Sequence, residues 1–122
     1  MQTISDEELT KLRAKYPRGV KVYPVGSQTE DGKAPADDAD EFVFRVPTRT
    51  DYQAYKADVK KGLMGAGNLG IELTNFARKL LVWPESAAFE ALLERAPIMG
   101  EELGSLLLET CAGGLEVREG KR

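Results

Sequence analysis

The run Gly65-Ala66-Gly67-Asn68-Leu69-Gly70 has the G-x-G-x-x-G spacing with which glycines let a backbone approach a pyrophosphate at a helix N-terminus. That chemistry needs a strand immediately before the run and an acidic residue ending the next strand. Here the preceding segment, Thr50 to Lys61, reads as amphipathic helix, and too few residues follow for a βαβαβ half. The run is therefore read as a helix-to-helix connection. Asp37-Asp38-Ala39-Asp40-Glu41 gathers carboxylates suited to a hard cation, but it lacks EF-hand spacing and the loop glycine, and reads as a solvated acidic loop. Cys111 lies near the end of the last predicted helix, the wrong end for a helix to activate a thiol. Trp83 and the four tyrosines could stack single-stranded bases, yet their spacing among leucines and valines suits core packing. Glu85, Glu90, Glu94, Glu101, Glu102 and Glu109 fall on predicted helices as solvated faces, and nothing singles out a catalytic pair among them. The chain contains no histidine. Ser-His-Asp and Cys-His nucleophiles, a histidine general base and His-containing zinc sites are thereby excluded. No catalytic residue, cofactor or metal site is expected.

The elements that would position such groups belong to one domain. At 122 residues, 42% hydrophobic and 30% charged, the chain is long enough to bury a core without disulfides or metals. Its single cysteine suits a reducing compartment. The net charge of −3 removes a global electrostatic case for nucleic-acid binding. Met1 to Leu12 holds Asp6-Glu7-Glu8 and no apolar run, unlike a secretory signal. Leu80-Leu81-Val82-Trp83 and Leu106-Leu107-Leu108 are far shorter than the ~20 residues that span a bilayer. A soluble cytoplasmic protein without nucleic-acid or membrane partners is expected.

Three parts make up the expected domain, 1–122. The first, 1–40, holds a helix, an edge strand and a mobile loop. Ser5 and Glu8 have capping-box spacing, and Ile4 and Leu9 have that of a hydrophobic staple, which predicts a helix from Asp6 to Tyr16 stopped by Pro17 and Gly19. Val20 to Val25 reads as a strand, confined to a sheet edge by Pro24. The stretch 26–40 reads as a mobile loop. The second part, 41–114, opens with a strand, Glu41 to Val46, which pairs antiparallel with the first. Thr50 then caps a helix from Asp51, with Tyr52, Tyr55, Val59 and Leu63 on one face. Leu69, Leu73, Phe76 and Leu80 mark the next helix, running to Val82 and broken at Trp83-Pro84. A helix over Ser86 to Arg95 buries Phe89, Leu92 and Leu93. Pro97 opens the last, with Ile98, Leu103, Leu106, Leu107 and Thr110 inward, and Gly113-Gly114 ends it. The third part, 115–122, reads as a flexible tail. The predicted fold is α+β and mostly α-helical, a two-stranded antiparallel element followed by a bundle of about four helices.

Charge falls in blocks: −3 over 1–41, +4 over 42–83 and −4 over 84–122. The basic middle, with Arg45, Arg49, Lys56, Lys60, Lys61, Arg78 and Lys79, has two readings: pairing with acids inside the fold, or a patch for a partner.

Glu41-Phe42-Val43-Phe44-Arg45-Val46-Pro47-Thr48-Arg49-Thr50-Asp51-Tyr52 is an apolar strand, then R-x-P-x-R, then an acidic-aromatic pair opening a helix. Leu80-Leu81-Val82-Trp83-Pro84 follows, then Phe89 to Pro97, and a last helix ending at Ala112-Gly113-Gly114. This order, over about residues 41–114, resembles the tail assembly chaperones of tailed bacteriophages, small proteins encoded beside the tape measure protein. The region through Asp40 and the glycine-rich stretch 62–70 fall outside the resemblance. It implies a non-enzymatic helper in the host cytoplasm, free of cofactor, that keeps the long helical tape measure protein soluble until the tail tube protein displaces it; a homo-oligomer is compatible with it. The family has no catalytic motif to carry over. For partner contact we single out Arg45 and Arg49 for orientation, and Leu80, Trp83, Phe89 and Leu93 for apolar surface; each has a structural alternative, ion pairing for the arginines and core packing for the others. A second reading is a structural virion subunit of the tail-terminator or head–tail connector type, whose loop and tail order on assembly.

Overall fold

The computed structural model describes residues 2–27, 39–64, 69–113, 115 and 120, the side chains of 63, 64 and 69 apart. Helix α1 (Asp6–Lys15) starts where Ser5 Oγ accepts the Glu8 N–H at 3.2 Å, satisfying a donor that the first turn leaves without a partner. Ile4 and Leu9 are half-buried, as a staple requires. Strand β1 (Val20–Val25) pairs antiparallel with β2 (Asp40–Arg45), from Val20 opposite Arg45 to Val25 opposite Asp40. β1 is the outer strand, the position proline requires of it. Pro24 lies opposite Glu41, and on the other side of β2 the Glu41 N–H donates to Gln2 O at 2.8 Å. Gln2 and Ile4 return two bonds, their N–H groups donating to Asp40 Oδ1 at 2.6 Å and Glu41 Oε1 at 3.0 Å. The loop expected over 26–40 thus ends sooner, because Asp40 already belongs to β2; residues 28–38 lie outside the described ones.

The sheet has three strands rather than two. Helix α3 (Leu69–Leu80) stops two residues before the expected end, and Leu81–Trp83 forms β3 against β2. An apolar run such as Leu80-Leu81-Val82-Trp83 fits either state locally; the open side of β2 at Val43 and Phe44 decides it. Both faces of β2 are covered. Phe42 and Phe44 enter the main core with Phe76, Leu80, Phe89 and Leu107. Their rings meet Phe89 edge-on at 5.8 and 5.9 Å, the geometry aromatic quadrupoles favour. On the opposite face Val43 is aligned with Val22 and Trp83 and is fully buried.

Helix α2 (Arg49–Met64) begins two residues earlier than Thr50 would place it. Thr48 caps it instead: its Oγ1 accepts the Asp51 N–H at 3.2 Å, and Asp51 Oδ2 accepts the Thr48 N–H at 2.8 Å. This is a reciprocal capping box at 48 and 51; Thr50 is exposed. Inward, Tyr55 lies against Phe76 with ring centroids 5.1 Å apart, whereas Tyr52 is exposed. Helices α4 (Ser86–Arg95) and α5 (Ile98–Glu109) sit where they were expected, α5 running into a short 3-10 turn (Thr110–Ala112) closed by Gly113 at φ 60°. α5 corrects the expected inward set. Leu103 and Leu107 are buried, and Thr110 is half-buried, but Ile98 is 57% and Leu106 42% exposed.

The inward places of Ile98 and Leu106 are taken by Gly100 and Gly104. A Cβ on Gly104 would stand 2.2 Å from the Leu73 carbonyl oxygen, and one on Gly100 would stand 2.6 Å from the Thr74 side chain. α5 therefore crosses α3 at backbone distance, which larger residues would prevent. Among the described residues no helix is long and apolar enough to cross a membrane. The tail is represented by Leu115 and Gly120, both exposed; the remainder, like 65–68 of the glycine-rich run, lies outside the described residues. The segment before that run is helix α2, not the strand that a dinucleotide fingerprint requires.

Candidate functional site

The most concentrated polar chemistry in the fold is at the corner between β2 and α2. The Arg45 guanidinium places its two terminal nitrogens 2.5 and 3.1 Å from the two oxygens of Asp51. Asp51 is 5% exposed and also accepts the Thr48 hydroxyl at 2.9 Å, with Lys79 Nζ at 3.6 Å. The hydrogen bonds from Arg45 hold its carboxyl well below the usual carboxylate range, against the opposing effect of burial. Both carboxylate oxygens are engaged by structural donors, so this corner fastens α2 to the sheet. Sequence reasoning passed over Asp51 as the first residue of its helix. The available signal was Thr48-x-x-Asp51, a capping box two residues ahead of the one expected at Thr50.

Among the residues singled out for partner contact, Arg45 is therefore a half-buried tie and Arg49 is exposed. Leu80 and Phe89 are 0% and 1% exposed; both serve the core and present no surface to a partner while the fold is intact. Trp83 is half-buried on the sheet face opposite Phe42 and Phe44. Leu93 is half-buried on the helical side. The structure thus brings Arg45 to Asp51 and Leu80 to Phe89, but sets Trp83 and Leu93 apart.

Among the described residues, Leu93 lies in a stretch of surface where predicted contact and concave shape coincide. A depression of about 360 Å³ is lined by Thr74, Arg78, Glu90, Leu93, Glu94 and Pro97. A second, of about 300 Å³, is lined by Gly70, Ile71, Thr74, Arg78 and Glu101. They share Thr74 and Arg78, so together they form a shallow groove across α3, α4 and the start of α5. Ile71, at one end, is 51% exposed. Arg78 grips Glu90 through two bonds of 2.9 Å and takes a third, 2.8 Å long, to Asn75. Glu94 and Glu101 form no ion pair with another described residue.

The basic middle divides accordingly. Arg45 and Lys79 share Asp51, and Arg78 takes Glu90. Lys56 stands 5.0 Å from the Tyr52 ring centroid. Arg49, Lys60 and Lys61 are exposed and form no ion pair with another described residue. Asp40 and Glu41, from the acidic run, serve the N-terminal segment. Cys111 is half-buried against the core, and burial, then the Asp51 charge, pushes its thiol pKa up despite Arg18 nearby. A thiol held protonated is a weak nucleophile. No protein-family model matches the chain, and no curated protein or solved structure is similar to it.

Proposed function

We propose that this protein is a non-enzymatic assembly chaperone of the phage-tail type. It acts in the host cytoplasm, covers apolar stripes of the long helical tape measure protein, and is displaced when the tail tube protein polymerises. The observation that carries the reading is the groove across α3, α4 and α5. It is open and shallow, lined by Thr74 and the half-buried Leu93 among charged side chains, with the exposed Ile71 beside them. Such a surface can seat an amphipathic helix. Its polar rim keeps the apolar area small, and the resulting modest affinity suits a helper that must let go. The order of motifs over residues 41–114 supports the same reading. Leu93 supplies apolar contact, and the exposed Arg49 is the remaining candidate for orienting a partner.

The test is co-expression with the longest helical protein encoded just downstream, scoring that partner's solubility with and without this chain. A soluble partner that co-purifies is the expected result. Unchanged solubility, with this chain present at fixed stoichiometry in purified particles, would replace the reading with that of a structural virion subunit.

A further inference from the structure

The groove has a sign. Arg78, the one cation lining it among the described residues, is already held by Glu90 through two charge-assisted bonds. Glu94 on α4 and Glu101 on α5, one lining each depression, remain without an ion pair among the described residues. Glu102 continues the acidic surface of α5, whose twelve residues include three glutamates and no base. The carboxylate charge is thus arranged beside Ile71 and Leu93 rather than across a flat polar face.

We propose that the groove takes a cationic amphipathic helix, one whose apolar stripe is flanked by lysines or arginines. The inference rests on the proposed chaperone reading and names the chemistry of the segment that the groove would select from a long helical client. The apolar stripe covers Ile71 and Leu93, while the flanking cations reach Glu94 and Glu101. Opposite charges steer the encounter and fix the helix's direction, and they reject acidic stripes of equal hydrophobicity. Within the same molecule, three of the chain's exposed cations point elsewhere. Arg49, Lys56 and Lys60 fall on one side of α2 at helical spacing, opposite the side on which Asp51 and Tyr55 face the core.

The experiment compares two fluorescent peptides of about 18 residues, some 27 Å of helix, identical in their leucine stripe but flanked by lysine in one and glutamate in the other. The lysine peptide is expected to bind at least about tenfold more tightly, and the advantage to collapse in about 0.5 M salt, where charges are screened within a few ångströms. The double variant Glu94→Lys, Glu101→Lys is expected to reverse the preference. The control Glu7→Lys, Asp58→Lys makes the same change in net charge on exposed residues of α1 and α2 and is expected to keep it. Ile71→Ser, at an exposed position, is expected to weaken binding about threefold or more.

Equal binding of the two peptides, or equal loss in the control and groove variants, would overturn the proposal. So would salt-sensitive self-association that is lost on changing Glu94 and Glu101 while neither peptide binds; the groove would then belong to the basic side of α2 in a second copy. If the groove variant fails to fold, the peptide pair and the salt series on the unaltered chain still decide. Lysine-peptide binding without any gain in client solubility would sink the chaperone reading and leave the groove's preference standing.

Discussion

Asp51 receives the Arg45 guanidinium on both of its oxygens, at 2.5 and 3.1 Å, while the same carboxylate closes the first turn of α2 through Thr48. One side chain thus joins the end of β2 to the start of α2, and Pro47, the middle residue of the 46–48 connection, is fully buried.

Removing that carboxylate leaves Arg45 and Lys79 facing each other with nothing to neutralise them. Asp51→Ala is expected to cost about 3 kcal/mol, the scale for breaking a largely buried ion pair from one side. Urea denaturation measures it; a loss below about 1 kcal/mol would show that solvent already screens the pair.

The same carboxylate fixes the sign of a pH effect. Its folded pKa lies below the unfolded value, chiefly through the Arg45 bonds, so its contribution is fully present above the unfolded pKa of about 3.9 and fades as pH falls toward the folded one. The stability gap between the parent chain and Asp51→Asn should be constant from pH 7 to about 5 and narrow below about 4. Denaturation of both proteins across that range tests it, and a gap that widened on acidification would contradict the assignment.

At the crossing of α3 and α5, alanine should act against its own helix propensity. Gly→Ala in an exposed helix gains up to ~1 kcal/mol. A Cβ at 104 meets backbone at 2.2 Å, so Gly104→Ala is expected to lose about 2 kcal/mol or more. Gly100→Ala meets the Thr74 side chain, which can rotate, and should lose less. Thermal melts of the two variants establish the order.

The arginines of the R-x-P-x-R motif should separate. Arg49→Glu changes an exposed side chain and is expected to alter stability by no more than about 0.5 kcal/mol. Arg45→Glu sets a second carboxylate against Asp51 and is expected to unfold a large fraction of the protein. Circular dichroism melts distinguish them, and only Arg49→Glu is then informative in a partner-solubility assay.

Much of this architecture can be read from the chain wherever one residue type has one physical meaning. Ser5 with Glu8 marks a helix start, Pro24 marks an edge strand, and Gly113 ends the last helix; each acts within a few residues of itself. Leu81 to Trp83 could not be assigned that way, because an apolar run is helix or strand according to what it meets, and it meets the open side of β2. Gly100 and Gly104 read locally as weak helix formers, and their value as small residues exists only where α3 arrives. The candidate groove is harder still. Its residues come from 70–78, 90–97 and 101, so no window of sequence contains it; Leu93 and the exposed glutamates were visible singly, but their convergence was not.

The way the N-terminal segment meets the sheet has a consequence for the protein at high concentration. A strand edge with free N–H and C=O groups is a template on which other chains can stack. Here Pro24 denies the outer strand a donor, and the exposed Lys21 adds a charge. Gln2 occupies the backbone of Glu41 on the other side of β2. A chain that carries a sheet rich in phenylalanine and valine is in this way guarded at these points against amyloid-like stacking on its own copies.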